Sequence, residues 1–123
     1  GAGRAVDLDL SPAYLEAARQ NAEQLGFKDS VEHRLHNIAD DPQGVAEADV
    51  VVMNRVVCCY PQMERLVRPA AERARRLLAL TFPREAWWTR AGIRVMNAGL
   101  WLFRSDFRTY LHPPEAIHRE AAE

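Results

Sequence analysis

The stretch AVDLDLSPAYLEAARQN, residues 5 to 21, constrains the fold more than any other part of the chain. Arg4 to Asp9 reads as a short strand that ends in an acid. Ser11 then stands as an N-cap, its hydroxyl able to accept from an orphan N–H of the first helical turn. Pro12 takes the first helical position, where a missing N–H costs nothing. Leu15, Ala18, Ala22 and Leu25 recur at spacings of three and four and give the helix one apolar face. Gly26 sits where a helix commonly ends in a left-handed residue.

Strand and helix alternate through the rest of the chain. Val31 to Leu35 is a second strand, with Val31, His33 and Leu35 on one face, and Asp41, Pro42 and Gly44 mark the turn that follows. Asp49 to Met53, DVVVM, carries a continuous apolar run, the pattern of a strand covered on both faces of a parallel sheet. Gln62 to Arg76 favours helix, but Pro69 predicts a break or kink there, with two short helices as one outcome. Arg76 to Phe82 is a further buried strand, stopped by Pro83. Glu85 to Phe103 is helical, with Trp88, Ala91, Val95 and Leu102 on a stripe predicted to pack into a core or line an internal groove. Pro113 and Pro114 preset a last helix, which finds no evident surface to bury against. This order predicts an α/β fold with an open, doubly wound parallel sheet in a single domain over residues 1–123.

Composition bounds the function classes. The net charge of −1 gives no global field for nucleic acid or an anionic membrane, so neither is expected as a partner. Lysine and arginine total 16, and Lys28 is the only lysine. Arg65, Arg68, Arg73, Arg75 and Arg76 cluster, but Glu64 and Glu72 interrupt them, which fits a solvated helix face better than a binding patch. No apolar run approaches the roughly 20 residues of a membrane span, and no basic region precedes an apolar stretch at the N-terminus. Cys58 and Cys59 are the only cysteines. Adjacent cysteines are poor disulfide partners, and no ligand spacing joins them to His33 or His36, so thiols at a strand end, no metal and a reducing cytoplasm are expected.

In doubly wound sheets, ligands bind beyond the carboxyl ends of the strands. Those ends are Asp9, the turn from Leu35 to Ile38, Asn54 with Arg55, and Pro83 with Arg84. An acid at Asp9 can accept hydrogen bonds from a ribose diol, each on the order of 1.5–3 kcal/mol; it can equally be a solvated acid at a helix N-terminus. The run DLDLSPAYLEAARQNAEQLG resembles the segment after the glycine-rich loop in class I S-adenosylmethionine-dependent methyltransferases, through Asp9, Leu10, Ser11, Pro12, Leu15, Ala18 and Arg19. EHRLHNIADDP resembles that family's third strand and adenine turn, ADVVVMNRVVCCYPQMERLV its fourth strand and helix, and RARRLLALTFPR its fifth strand. Val56 to Pro61 is similar to a bacterial subgroup described as magnesium-protoporphyrin-methyltransferase-like.

The resemblance implies S-adenosylmethionine as cofactor. It implies Asp9 on the ribose hydroxyls and Leu10 on the adenine. Asn37 would lie where the family usually has an aspartate contacting the adenine amine, Ile38 over the ring, and Asn54 and Arg55 by the sulfonium end. Asn37 departs from the family pattern, because its amide accepts but carries no charge. No residue is implied as a general base; aligning a reactive methyl sulfonium with its acceptor is the main requirement.

Against the family pattern, this is a Rossmann-like core without its first strand, glycine-rich turn and last two strands. The Gly1–Gly3 triplet lies too close to Asp9 to be the turn, because the spacing to the acid is on the order of 20 residues. A fragment of a longer enzyme, itself weak or inactive, is therefore expected. Two unpaired strand edges are expected to invite self-association, or the strands ending at Asp9 and Met53 are expected to pair directly. The implied reaction is methyl transfer to a small molecule, with the aromatic helix as a candidate pocket wall. Two alternatives remain at this point. One is a non-catalytic domain of the same fold that packs against a partner protein. The other is a fragment of a dinucleotide-dependent oxidoreductase, disfavoured by the Ser-Pro-capped helix and the absence of a Tyr-x-x-x-Lys pair.

Overall fold

The computed structural model describes residues 3–83 and 86–122. The expectations placed on Gly1, Ala2, Arg84, Glu85 and Glu123 lie outside the described residues. The chain forms two compact units that meet in sequence at Pro42 and Gln43.

The first unit is a β–α–β crossover. β1 (Ala5–Asp9) leads into α1 (Pro12–Gln24), a 3-10 turn (Lys28–Ser30) and β2 (Val31–Leu35). The strands are parallel, with Ala5 opposite Val31 and Asp9 opposite Leu35. The local signals at α1 act as the sequence predicts. Ser11 is extended and its hydroxyl accepts from the Tyr14 N–H. At the other end Gly26 adopts φ of 77°, Phe27 N–H reaches the Ala22 carbonyl at 2.7 Å, and Gly26 N–H reaches that of Glu23 at 3.1 Å. That pair of bonds caps the last carbonyls and requires the left-handed residue between them. α1 packs on both strands and buries Leu15 and Ala22. Across the ladder the His33 ring, almost fully covered, lies 2.9 Å from the Asp7 carboxylate through Nδ1.

The second unit holds β3 (Ala48–Asn54), a 3-10 turn (Val57–Cys59), α2 (Glu64–Arg73), β4 (Ala74–Thr81), α3 (Trp87–Leu102) and α4 (Pro114–Ala122). β3 and β4 are parallel neighbours, with Val50 opposite Leu77 and Asn54 opposite Thr81. α2 crosses between them. The core of this unit comprises Met53, Val57, Cys58, Met63, Leu66, Val67, Ala70 and Ile117.

Several expectations are corrected here. Among the described residues β1 is hydrogen-bonded to β2 and β3 to β4, each pair within its own unit, in place of the expected β1–β3 pairing. Each crossover helix returns the chain beside the strand it left, so the parallel pairs form within each unit. Pro69 does not divide α2, which runs through it as one helix. The ring removes one backbone bond, and burial of Leu66, Val67 and Ala70 on either side of it offsets that loss. β4 begins at Ala74, so Arg75 and Arg76 lie on a strand, and Arg75 Nε pairs with Glu47 at 3.0 Å.

β3 is covered on one face only. Met53 is buried and Val51 half-buried, but Val52 on the alternate face is 65% exposed, as are Val50 and Leu77 to lesser degrees. α4 does find a surface: it packs on α2, Ile117 is 1% exposed, and Arg68 donates to Glu120 through Nη2 at 2.7 Å. The aromatic helix is the largest reversal. α3 buries none of its residues, and the stripe of Trp88, Ala91, Val95 and Leu102 is exposed. The side-chain amide of Asn97 fixes its other side by donating to the Thr109 carbonyl (2.8 Å) and accepting from the Thr109 N–H (3.0 Å).

Candidate functional site

At the carboxyl end of β1, the Asp9 carboxylate is held by its neighbours. Oδ1 accepts from the Ser11 backbone N–H at 2.7 Å, which keeps the charge over the first turn of α1, where the helix dipole favours it. Oδ2 makes no hydrogen bond among the described residues. The Asp9 carbonyl accepts from the His36 N–H at 3.3 Å, so the ladder continues one step past β2 and draws the two strand-end turns side by side. Leu10 is exposed beside the acid.

The β2 turn is tied internally. Asn37 Oδ1 accepts from the Ala39 N–H at 3.1 Å, and Nδ2 donates to Asp40 Oδ2 at 2.6 Å. The Asn37 carbonyl also accepts from the N–H groups of Asp40 and Asp41, and the His36 ring meets the Asp41 carbonyl at 2.9 Å through Nε2. Ile38 is half-buried and Ala39 buried within this turn. The Asn37 amide thus shapes its own turn first, and Oδ1 keeps one lone pair for another donor.

The second unit repeats the arrangement with different chemistry. Asn54 and Thr81 end β3 and β4 opposite one another, and the Thr81 hydroxyl donates to Asn54 Oδ1 at 2.6 Å. Arg55 adopts φ of 57°, a left-handed conformation that costs a non-glycine residue on the order of 1–2 kcal/mol. Its N–H is caught by both the carbonyl (3.1 Å) and the hydroxyl (3.0 Å) of Thr81, which hold the turn in place. The Arg55 carbonyl in turn accepts from Cys58 Sγ at 3.3 Å and Cys59 Sγ at 3.5 Å. Both cysteines are free. Partial burial of the Cys59 sulfur, then the adjacent Cys58, pushes its pKa up to about 11, so it is a thiol at neutral pH although the residue as a whole is exposed.

Asn54, Arg55, Cys58, Thr81, Phe82 and Pro83 line an open depression at this strand end. The segment after α3 is fastened nearby: Tyr110 N–H donates to the Cys58 carbonyl at 2.7 Å, and the His112 ring meets the Tyr60 carbonyl at 2.9 Å through Nε2. Among the described residues no three His, Cys, Asp or Glu side chains gather as a metal site, and no helix is long and apolar enough to cross a membrane.

Asp9, Leu10, Asn37 and Ile38 therefore meet at one strand-pair end, and Asn54 and Arg55 at the other, each group within its own unit. Thr81, Tyr110 and His112 were missed by the sequence reading. Thr81 carried a usable signal, as the last polar residue before Phe82 and Pro83. Tyr110 and His112 carried none, because their bonds reach about fifty residues back along the chain.

Residues 1–78 match the family model described as a methyltransferase domain. The ribosomal protein L11 methyltransferase of Aeromonas hydrophila subsp. hydrophila is 48% identical over 54 residues, covering 44% of this chain and 18% of that protein. The protein of the same name from Azotobacter vinelandii is 42% identical over 78 residues, covering 60% of this chain and 26% of that one. That of Pseudomonas aeruginosa is 40% identical over 85 residues, covering 66% and 26%. The chain thus spans between 18% and 26% of the length of these relatives. Among solved structures, an O-methyltransferase family 2 protein from Planctomyces limnophilus, in complex with apigenin, superposes with a TM-score of 0.67 at 23% identity. It covers 97% of this chain and 36% of that one, a likeness of fold.

Proposed function

The chain belongs to the methyltransferase-domain family, of class I S-adenosylmethionine-dependent type, and from that premise we propose that its strand-end turns hold the cofactor for methyl transfer to a small molecule. The observation that carries this reading is the Asp9 carboxylate. It is fixed through Oδ1 and keeps Oδ2 free at the carboxyl end of β1. A cofactor ribose needs such an acceptor, pre-oriented and already desolvated on one side, so the residues present fit the group. Leu10, exposed beside it, supplies an apolar surface for the adenine, and Ile38 and the remaining lone pair of Asn37 Oδ1 serve the ring edge.

When bound, S-adenosylmethionine supplies a methyl group already activated on a sulfonium. The chain's own task is alignment: holding donor and acceptor in line is the main source of rate in such a displacement. Within the second unit, Asn54 and the Arg55 backbone are fixed polar groups, locked by Thr81. The mixed lining of the adjoining depression, polar Asn54 and Thr81 with apolar Phe82 and Pro83, suits a small-molecule acceptor.

Titration calorimetry with S-adenosylhomocysteine tests the reading. Asp9→Ala is expected to weaken binding by about 1.5–3 kcal/mol, roughly ten- to a hundredfold. Unchanged affinity would remove the ribose assignment. A second reading, a non-catalytic domain of the same fold, is favoured by the Asn37 amide being engaged within its own turn; a folded chain that binds neither S-adenosylmethionine nor S-adenosylhomocysteine would select it.

A further inference from the structure

Cys58 and Cys59 stand side by side in the 3-10 turn after β3, and the turn brings their sulfurs together. On an extended strand two successive side chains would point to opposite faces. Here the two Sγ atoms are 3.8 Å from each other, and both thiols donate to one acceptor, the Arg55 carbonyl, at 3.3 and 3.5 Å. That acceptor is itself fixed, because the Arg55 N–H is held by the carbonyl and the hydroxyl of Thr81. The turn is closed by the Cys59 N–H on the Val56 carbonyl at 2.9 Å and the Tyr60 N–H on that of Val57 at 3.3 Å. Two thiols are thus presented on one side of a turn that backbone bonds hold. They are reachable: Cys59 is exposed, and Cys58 lines the open depression.

The separation decides what the pair can hold. A disulfide needs its sulfurs at about 2.05 Å and its Cα atoms usually at least about 4.4 Å apart, whereas neighbours across a trans peptide lie about 3.8 Å apart, so closing one here would open the turn. A single atom bonded to both sulfurs at about 2.3 Å, with a near-tetrahedral angle between the bonds, separates them by about 3.8 Å. That is the distance found. Among the described residues no third His, Cys, Asp or Glu side chain joins the two thiols, so a structural zinc ion, which asks for four ligands, is not served. The centre that fits takes two sulfurs from the protein and brings its remaining bond with it.

We propose that Cys58 and Cys59 form a two-sulfur site for a monosubstituted trivalent arsenical. The step is a condensation. The two S–H bonds and the arsenic–oxygen bond of R–As=O break, two As–S bonds form, and the oxygen leaves with both thiol hydrogens as water. Arsenic stays trivalent, so no oxidant or reductant is needed. Partial burial and the adjacent Cys58 push the Cys59 pKa up to about 11, so the hydrogen the step removes is in place at neutral pH. An electrophile that attacks one sulfur and needs a thiolate finds little of it there. The bonds given up to the Arg55 carbonyl come from S–H groups, which are weak donors, so their loss opposes the step little.

Phenylarsine oxide is the probe, added to the reduced whole chain. Mass spectrometry is expected to show a single phenylarsenic adduct with loss of water, and thiol titration the disappearance of both thiols. Excess glutathione, a monothiol, should leave the adduct in place, and excess of a 1,2-dithiol should remove it. Cys59→Ser, at an exposed position, should weaken binding roughly a hundredfold or more, because the second bond of the chelate is lost. Cys58→Ala should do the same, with circular dichroism confirming the fold. In urea the cysteines stay adjacent but the turn is gone, and affinity should fall about tenfold, because two side chains must then be ordered on binding. Equal affinity in urea overturns the proposal, since adjacency alone would then suffice. An adduct that glutathione removes, or one that survives Cys59→Ser, overturns it as well. So does ready closure of the pair by glutathione disulfide, read as loss of both thiols without added mass, since the sulfurs would then not be held apart. None of these readouts uses the cofactor, so failure here and failure of the methyltransferase reading are distinguishable.

Discussion

α1 and α3 carry similar apolar stripes and finish in the same way, yet they use the stripe oppositely. At the C-terminus of α1, Phe27 bonds to Ala22 and Gly26 to Glu23; at that of α3, Ser105 bonds to Leu100 (2.9 Å) and Arg104 to Trp101 (3.0 Å). Gly26 and Arg104 take the left-handed position, at φ of 77° and 55°. But α1 buries Leu15 and Ala22 against its strands, and α3 buries none of its residues. A hydrophobic period shows that a helix has two faces. It does not show which face meets the rest of the protein. For α3 that choice is made by Asn97 and its two bonds to Thr109, a contact no periodicity encodes.

The sharpest way to break this contrast is truncation on each stripe. Leu15→Ala should destabilise the first unit by about 2–5 kcal/mol, because it leaves a cavity under α1. Val95→Ala should change stability by less than about 0.5 kcal/mol, because the side chain is already in solvent. Urea unfolding followed by circular dichroism measures both. Equal losses would mean that the α3 stripe is covered in solution.

The shared end of the two helices gives a smaller and opposed pair of effects. Gly26→Ala places a Cβ in open space, so its whole cost is the left-handed backbone, about 1–2 kcal/mol. Arg104→Gly relieves the same conformation and should stabilise the α3 terminus by up to about 1 kcal/mol. Thermal unfolding of the two variants should move in opposite directions. Movement in the same direction would show that the Arg104 side chain, rather than its backbone, decides the effect.

The same contrast explains how much of the molecule was legible in the sequence. The β1–α1 junction was legible nearly to the residue, since Ser11, Pro12 and Gly26 act on backbone groups a few positions away. So were the parallel strands and the crossover order. Strand partnership was not: a direct β1–β3 ladder depends on contacts far apart in sequence, and the chain pairs β1 with β2 and β3 with β4 instead. Pro69 misled because a local penalty was weighed without the burial of Leu66, Val67 and Ala70 around it. At the candidate site, Asp9 and Asn37 were legible as residue types at strand ends. Their internal commitments, to Ser11 and to Ala39 with Asp40, needed coordinates.

The smallest expected effect lies just beyond α1, where Lys28 Nζ bonds to Glu23 Oε1 at 2.8 Å. α3 ends instead with Arg108 donating to the backbone carbonyls of Ser105 and Phe107, so the two termini differ in whether charge meets charge. The hydrogen bond and then the field of Lys28 lower the Glu23 pKa below 4.5; the same bond and then the field of Glu23 raise that of Lys28 above 10.5. The Glu23 contribution is therefore present above pH 4.5 and lost as pH falls through its lowered folded value. The Lys28 contribution is present below pH 10.5 and lost as pH rises through its raised folded value. Both groups are fully exposed, so salt screens the pair. Glu23→Gln should shift the urea midpoint slightly at pH 7 and low salt, and not at all in high salt or once Glu23 is protonated. A shift that survives high salt would mean that the end of α1, like its stripe and unlike that of α3, is held by packing.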